Sequence, residues 1–154
     1  MTDVVLFDYW RSSASYRLRI ALNLAGIEYQ SIPVDLVKGE QRSPEHLARN
    51  PQGFVPVLEI DGLRLTQSLA ILDYLDQTRA LNLLPKEPAK RAQALALAQS
   101  IAVDLPPVCN LAVARPATPP TRGREAPPNA WMQPFLRPGL QAFRAPPPGF
   151  DRAH

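Results

Sequence analysis

The chemistry-bearing residues of this chain are concentrated in Arg11-Ser12-Ser13-Ala14-Ser15-Tyr16-Arg17, a block of hydroxyls set between the apolar strand pattern Val4 to Phe7 and an amphipathic helical pattern. A helix that opens on serine has backbone N–H groups without partners in its first turn. Its aligned peptide dipoles add partial positive charge there, which makes the junction a ready anion site. The purely structural alternative is that Ser12, Ser13 or Ser15 simply N-caps the first helix.

Two further segments follow in order: Asn50-Pro51-Gln52-Gly53-Phe54-Val55-Pro56-Val57-Leu58, then Leu65-Thr66-Gln67-Ser68-Leu69-Ala70-Ile71. Val57 to Ile60 and Leu63 to Leu65 read as short strands joined by Asp61-Gly62, a dipeptide that favours a two-residue hairpin turn. Ser68 is expected to cap the next helix, whose Leu69, Ile71, Leu72 and Leu75 give it a buried face. A cis bond at Val55-Pro56 would turn the Val55 N–H and C=O outward to a peptide ligand. Upstream, a helix spans about Ser13 to Ala25 and stops at Gly26. A strand then runs from Tyr29 to Val34, and a short helix from Ser43-Pro44 to Asn50. Strand, helix, strand, then hairpin and helix is the thioredoxin-like α/β arrangement.

With these residues in view, the chain resembles the zeta class of glutathione transferases, the maleylacetoacetate isomerases, whose signature is Ser-Ser-Cys-Ser-Trp-Arg-Val-Arg-Ile-Ala-Leu. The resemblance covers roughly residues 4 to 115 and includes Leu83-Leu84-Pro85. Ala14 stands where the family has cysteine. Tyr16 replaces its tryptophan, at a place expected to face the core. The resemblance implies a glutathione cofactor and no metal. Ser12 would hydrogen-bond its sulfur with Ser13 beside it, and Gln67 and Ser68 would hold the γ-glutamyl carboxylate. Val55 would pair with the cysteinyl unit, Gln41 would reach the glycyl end, and Asn110 would line the site from a helical domain. Arg11 is a candidate for a dianionic maleyl substrate, with a solvated surface role as its alternative. Glutathione-dependent cis to trans isomerisation and a homodimer are implied in the same way.

The magnitudes suit that chemistry. A free thiol titrates near about 8.5, and lowering this by about two units needs roughly 2.7 kcal/mol of preference for the anion. A hydrogen bond to a charged group supplies about 1.5 to 3 kcal/mol and a helix N-terminus about 0.3 to 2. One serine at one helix end is therefore enough, and no histidine is required.

Composition narrows the classes. No signal peptide is visible at Met1-Thr2-Asp3, and no apolar run approaches the roughly 20 residues of a membrane span. The single cysteine, Cys109, forbids an internal disulfide and fits the cytoplasm. It reads as a packing residue rather than a nucleophile, and without a Cys-x-x-Cys pair thiol-disulfide exchange is a weak alternative. The net charge of +3 comes from arginines after residue 103, scattered among prolines without interleaved aromatics, which argues against nucleic acid.

Of the 18 prolines, most lie beyond residue 100. The expected organisation is a thioredoxin-like domain over 1–80 and a partial all-α domain over 88–154. A helix is expected from Ala89 to about Val103, with Ala92, Leu95, Ala96 and Ile101 toward a core, resuming from Val108 to Ala114. Residues 116–128 read as a disordered linker. Ala130 to Gln133 and Gly139 to Phe143 look like a further helix that Pro134 and Pro138 should break or kink. The chain ends well short of a complete family member: the later capping-box helix and a substrate-gripping basic residue are missing, and Pro106 replaces a polar residue that contacts glutathione. A truncated or frame-shifted copy is therefore expected, and a non-catalytic glutathione-binding remnant is the alternative to an active isomerase.

Overall fold

The computed structural model describes residues 3–110, 113–114 and 128–144. The chain divides into two compact units, Met1–Leu83 and Leu84–His154.

The first unit is a four-stranded mixed sheet of order β2-β1-β3-β4, carrying helices α1 (Ser13–Leu24), α2 (Pro44–Arg49) and α3 (Ser68–Arg79). Strand β1 is Val5–Asp8 and pairs parallel with β2, Gln30–Pro33. It pairs antiparallel with β3, Val57–Ile60, which forms a hairpin with β4, Leu63–Thr66. The hairpin turn holds Asp61 at φ 54° and Gly62 at φ 75°, the pair of positive angles that matches strand twist in a two-residue loop. Strand alternation sorts the core onto two faces. Leu6, Leu58 and Ile60 meet Leu18, Ala21, Leu22, Ile71 and Leu75 from α1 and α3. Phe7 and Val57, paired in register, point the other way onto Val34.

Several expectations are corrected here. Strand β1 runs one residue later than Val4 to Phe7 because Asp8 belongs to it: its carboxylate is buried but accepts from Arg19 and from Ser31 Oγ at 3.1 Å. Strand β2 is shorter than Tyr29 to Val34: its ladder with β1 covers Gln30–Pro33, and Val34, just past it, still donates its N–H to the Asp8 carbonyl at 2.7 Å. A 3-10 turn at Glu40–Arg42 precedes α2. Tyr16 is not core-facing. It is 59% exposed, with the Arg19 guanidinium 5.4 Å above its ring.

The second unit holds α4 (Pro88–Ala102), the short α5 (Pro106–Cys109) and α6 (Pro128–Arg144). Helix α4 starts where Glu87 caps the N–H groups of Ala89 and Lys90, and these bonds hold its carboxyl below the usual range. Ala92 and Ala96 are exposed and Leu95 and Ile101 only half-buried, so the expected core face of α4 is not a buried one. Val113 and Ala114 are helical, but the helix at 106–109 is too short to be a resumed α4.

Pro134 and Pro138 do not break α6, which runs unbroken through both. Both are exposed, so their rings stand clear of the packed residues of α6. The adjoining face is held by packing. Trp131 donates from Nε1 to the Val108 carbonyl at 2.7 Å and stacks tilted on Phe135 at 5.1 Å. Gly139, one turn further, lies so close to Leu105 that a Cβ would collide with it. The segment expected to be a linker, 116–128, lies outside the described residues except for Pro128, which opens α6.

Candidate functional site

Sheet register brings three loops to one edge of the first unit. The chain leaves β1 after Asp8 toward Ser12, enters β3 at Val57 after Val55-Pro56, and leaves β4 after Thr66 toward Gln67. Phe7 pairs with Val57 and Val57 with Thr66, so these three exits are neighbours. A fourth segment joins them at Gly53, where an added Cβ would stand 2.9 Å from the Gln41 carbonyl oxygen.

Ser12 is the N-cap of α1, one of the three serines considered for that role. Its Oγ accepts from the Ser15 N–H at 3.2 Å. An accepting hydroxyl keeps its own proton to donate elsewhere. Ser12 is half-buried, Ser13 and Arg11 are exposed, and the Arg11 guanidinium lies 5.6 Å over the Trp10 ring. The loop carrying Ser12 is fixed from below: Arg19, paired with Asp8, also donates to the Trp10 carbonyl at 3.1 Å, and the Ser12 N–H donates to the Tyr9 carbonyl at 2.9 Å.

Ser68 is not the cap of α3. Gln67 occupies that position at φ 66°, with no side-chain capping bond, and Ser68 is the first helical residue. A non-glycine residue in this conformation stores strain of order 1 to 3 kcal/mol, compatible with a site that needs the turn. The Gln67 Nε2 donates to Gln52 Oε1 at 2.9 Å, leaving Gln67 Oε1 able to accept. The Ser68 hydroxyl, buried, accepts instead from Arg17 Nη1 at 3.1 Å. Among the described residues that guanidinium has no carboxylate partner, and burial lowers its pKa. Burial also pushes the Cys109 thiol up, away from nucleophilic use.

The Val55-Pro56 bond is cis, and among the described residues the Val55 N–H has no hydrogen-bond partner. Gln41 is half-buried in the 3-10 turn, with its Oε1 buried and unpartnered. Asn110 belongs to the second unit, where its Nδ2 donates to the Pro107 carbonyl at 3.0 Å and its Oδ1 accepts from the Val113 N–H at 3.1 Å.

The site edge thus offers two helix N-termini, a free hydroxyl proton, a free backbone N–H and a half-buried guanidinium. That donor set fits a small anionic peptide carrying a thiolate and a carboxylate. Arg17, Arg19 and Gln52 were missed by the sequence reading. The available signal was two arginines in the middle of a helix with no acidic residue three or four positions away to pair with.

Residues 2–77 match the glutathione S-transferase N-terminal domain family. The chain is 56% identical over 142 residues to the maleylacetoacetate isomerase of Rhizobium meliloti (strain 1021), covering 92% of this chain and 67% of that one. It is 48% identical over 112 residues to that of Rattus norvegicus, covering 71% of this chain and 52% of the rat protein, so it spans about half the length of that relative. Among solved structures it superposes on a maleylacetoacetate isomerase from Methylobacterium extorquens AM1 with bound malonate and GSH. The TM-score is 0.84 at 41% identity, over 96% of this chain and 72% of that one. A zeta-class bacterial maleyl pyruvate isomerase matches with TM-score 0.81 at 33% identity, over 92% and 67% of the two chains. With the sheet topology and these identities in agreement, the chain belongs to the maleylacetoacetate isomerases, the zeta class of the glutathione transferases.

Proposed function

We propose that this protein is a glutathione-dependent cis-trans isomerase of maleylacetoacetate or a similar maleyl acid. The observation that carries the reading is the convergence of the Ser12 hydroxyl, the unpaired Val55 N–H and the α3 N-terminus on one sheet edge. Bound glutathione supplies a thiolate whose reversible addition to the double bond leaves a single bond free to rotate.

The chain's own residues do the rest. Ser12 donates its hydroxyl proton to the sulfur, and the N-terminus of α1, with Ser13 in its first turn, favours the negative charge. Gln67 and Ser68, with Arg17 behind them, take the γ-glutamyl carboxylate. Gln67 Oε1 accepts from the γ-glutamyl ammonium. Val55 pairs with the cysteinyl backbone and Gln41 reaches the glycyl end. Arg11, steadied over Trp10, takes a substrate carboxylate. Homodimeric assembly and a cytoplasmic location, consistent with one unpaired cysteine, complete the reading.

The test follows conversion of maleylacetoacetate to its trans isomer with and without glutathione, and with S-methylglutathione as a thiol-blocked control. Turnover with glutathione alone supports the proposal. Saturable glutathione binding without turnover would make the chain a binding module, and no binding would sink both readings.

A further inference from the structure

His46 is the buried imidazole of the first unit, at 2% exposure within α2, and the proposed chemistry does not use it. Its Nε2 lies 3.0 Å from the Phe54 carbonyl oxygen, which also accepts from Asn50 Nδ2 at 3.0 Å. A carbonyl oxygen can only accept, so Nε2 carries the imidazole proton and Nδ1 is the bare nitrogen. That Nδ1 is buried with no hydrogen-bond partner. A buried, unsatisfied nitrogen costs free energy that a phenylalanine or leucine at this position would not, which points to a compensating task for the other nitrogen.

The task follows from peptide geometry. The Phe54-Val55 bond is trans, and in a trans peptide the C=O and N–H point in opposite directions. Drawing the Phe54 carbonyl inward toward α2 turns the Val55 N–H outward, where it has no partner. Asn50, the C-cap of α2, donates its N–H to the His46 carbonyl at 2.9 Å and also closes the Asn50-to-Gly53 turn by bonds to the Gln52 and Gly53 N–H groups, so it shares with His46 the hold on the Phe54 carbonyl. His46 ties that loop to the helix.

We propose that His46 is a positioning residue for peptide binding: through the Phe54 carbonyl it fixes the direction of the Val55 N–H that receives the cysteinyl backbone. The proposal rests on the glutathione reading for its ligand, but its geometric half stands without any ligand.

The experiment compares His46→Leu with His46→Gln, whose Nε2 can occupy the place of the imidazole Nε2. In the ligand-free protein, NMR reads the imidazole tautomer, the Phe54 carbonyl carbon shift and Val55 amide exchange. Calorimetry then reads glutathione affinity, and kinetics separate KM from kcat. The wild type should show protonated Nε2. His46→Leu should move the Phe54 carbonyl signal and weaken glutathione about tenfold. Its kcat at saturating glutathione should stay within about twofold, with an unchanged KM for the maleyl acid. His46→Gln should recover affinity to within about threefold of wild type.

A proton on Nδ1 in the wild type, an unmoved Phe54 carbonyl in His46→Leu, undiminished glutathione affinity in that variant, or equal losses in both variants would overturn the proposal. If His46→Leu does not fold, the wild-type tautomer and the His46→Gln affinity decide alone. If the wild type binds no glutathione, the functional reading fails, while the ligand-free signals still decide whether His46 sets the peptide plane.

Discussion

Replacing Ser12 with alanine separates two jobs that one hydroxyl performs. As acceptor, Ser12 Oγ caps α1 through the Ser15 N–H at 3.2 Å. As donor, its proton is free for the ligand sulfur. Loss of the acceptor should cost about 1 kcal/mol of folding stability, the usual figure for an N-cap serine. Loss of the donor removes a hydrogen bond to a charged group, about 1.5 to 3 kcal/mol, so the pKa of bound glutathione should rise by about one to two units. Ser12→Gly discriminates the two effects, because glycine at an N-cap costs only a few tenths of a kcal/mol. Both variants should therefore show the same rise in thiol pKa while only Ser12→Ala loses much stability. The assay is thiolate ultraviolet absorbance across a pH titration of the complex, run beside chemical denaturation. An unchanged thiol pKa in both variants would remove Ser12 from the mechanism and leave it a helix cap.

Other perturbations test neighbouring parts. Ser68→Ala orphans one Arg17 donor rather than uncapping α3, so it should weaken glutathione binding while costing about 1 kcal/mol of stability in denaturant titrations. Undiminished affinity would exclude the hydroxyl from the site. Gly53→Ala places a Cβ 2.9 Å from the Gln41 carbonyl at φ +65°, and should destabilise by about 1 to 3 kcal/mol with weakened glutathione binding. A neutral result would mean that the loop has room to shift. Asp61 accepts from Tyr74 Oη and from Arg79, and these bonds hold its carboxyl below the usual range. Its contribution is fully present above the unfolded value of about 3.9 and is lost as pH falls through the lower folded value. Asp61→Asn should flatten the acid limb of a Tm-against-pH profile. An unaltered limb would refute that role.

The hairpin and the opening of α1 were legible because each carries a local signal: Asp61-Gly62 between alternating strands, and serine before an apolar period. The Ser68 cap was misread because a serine before an apolar run looks the same whether it stands at the cap or one residue later. Only the backbone angle of Gln67 decides it. Tyr16 was assigned inward by analogy with the residue it replaces, whereas Arg19 covers its exposed ring. The continuity of α6 through Pro134 and Pro138 depends on Leu105 and Val108, over twenty residues upstream, and local rules carry no such information. Arg17 reaching Ser68 across 51 residues is likewise invisible in spacing.

The central claim is that one sheet edge of the first unit reads a γ-glutamyl-cysteinyl peptide. Its most direct test is a titration of the labelled protein with glutathione, followed by backbone amide shifts. Saturable changes confined to Ser12 through Ser15, Gln41, Val55, Gln67 and Ser68, with the Val55 amide newly protected from exchange, are the predicted result. Absence of saturable shifts, or shifts centred away from these four segments, would contradict the account.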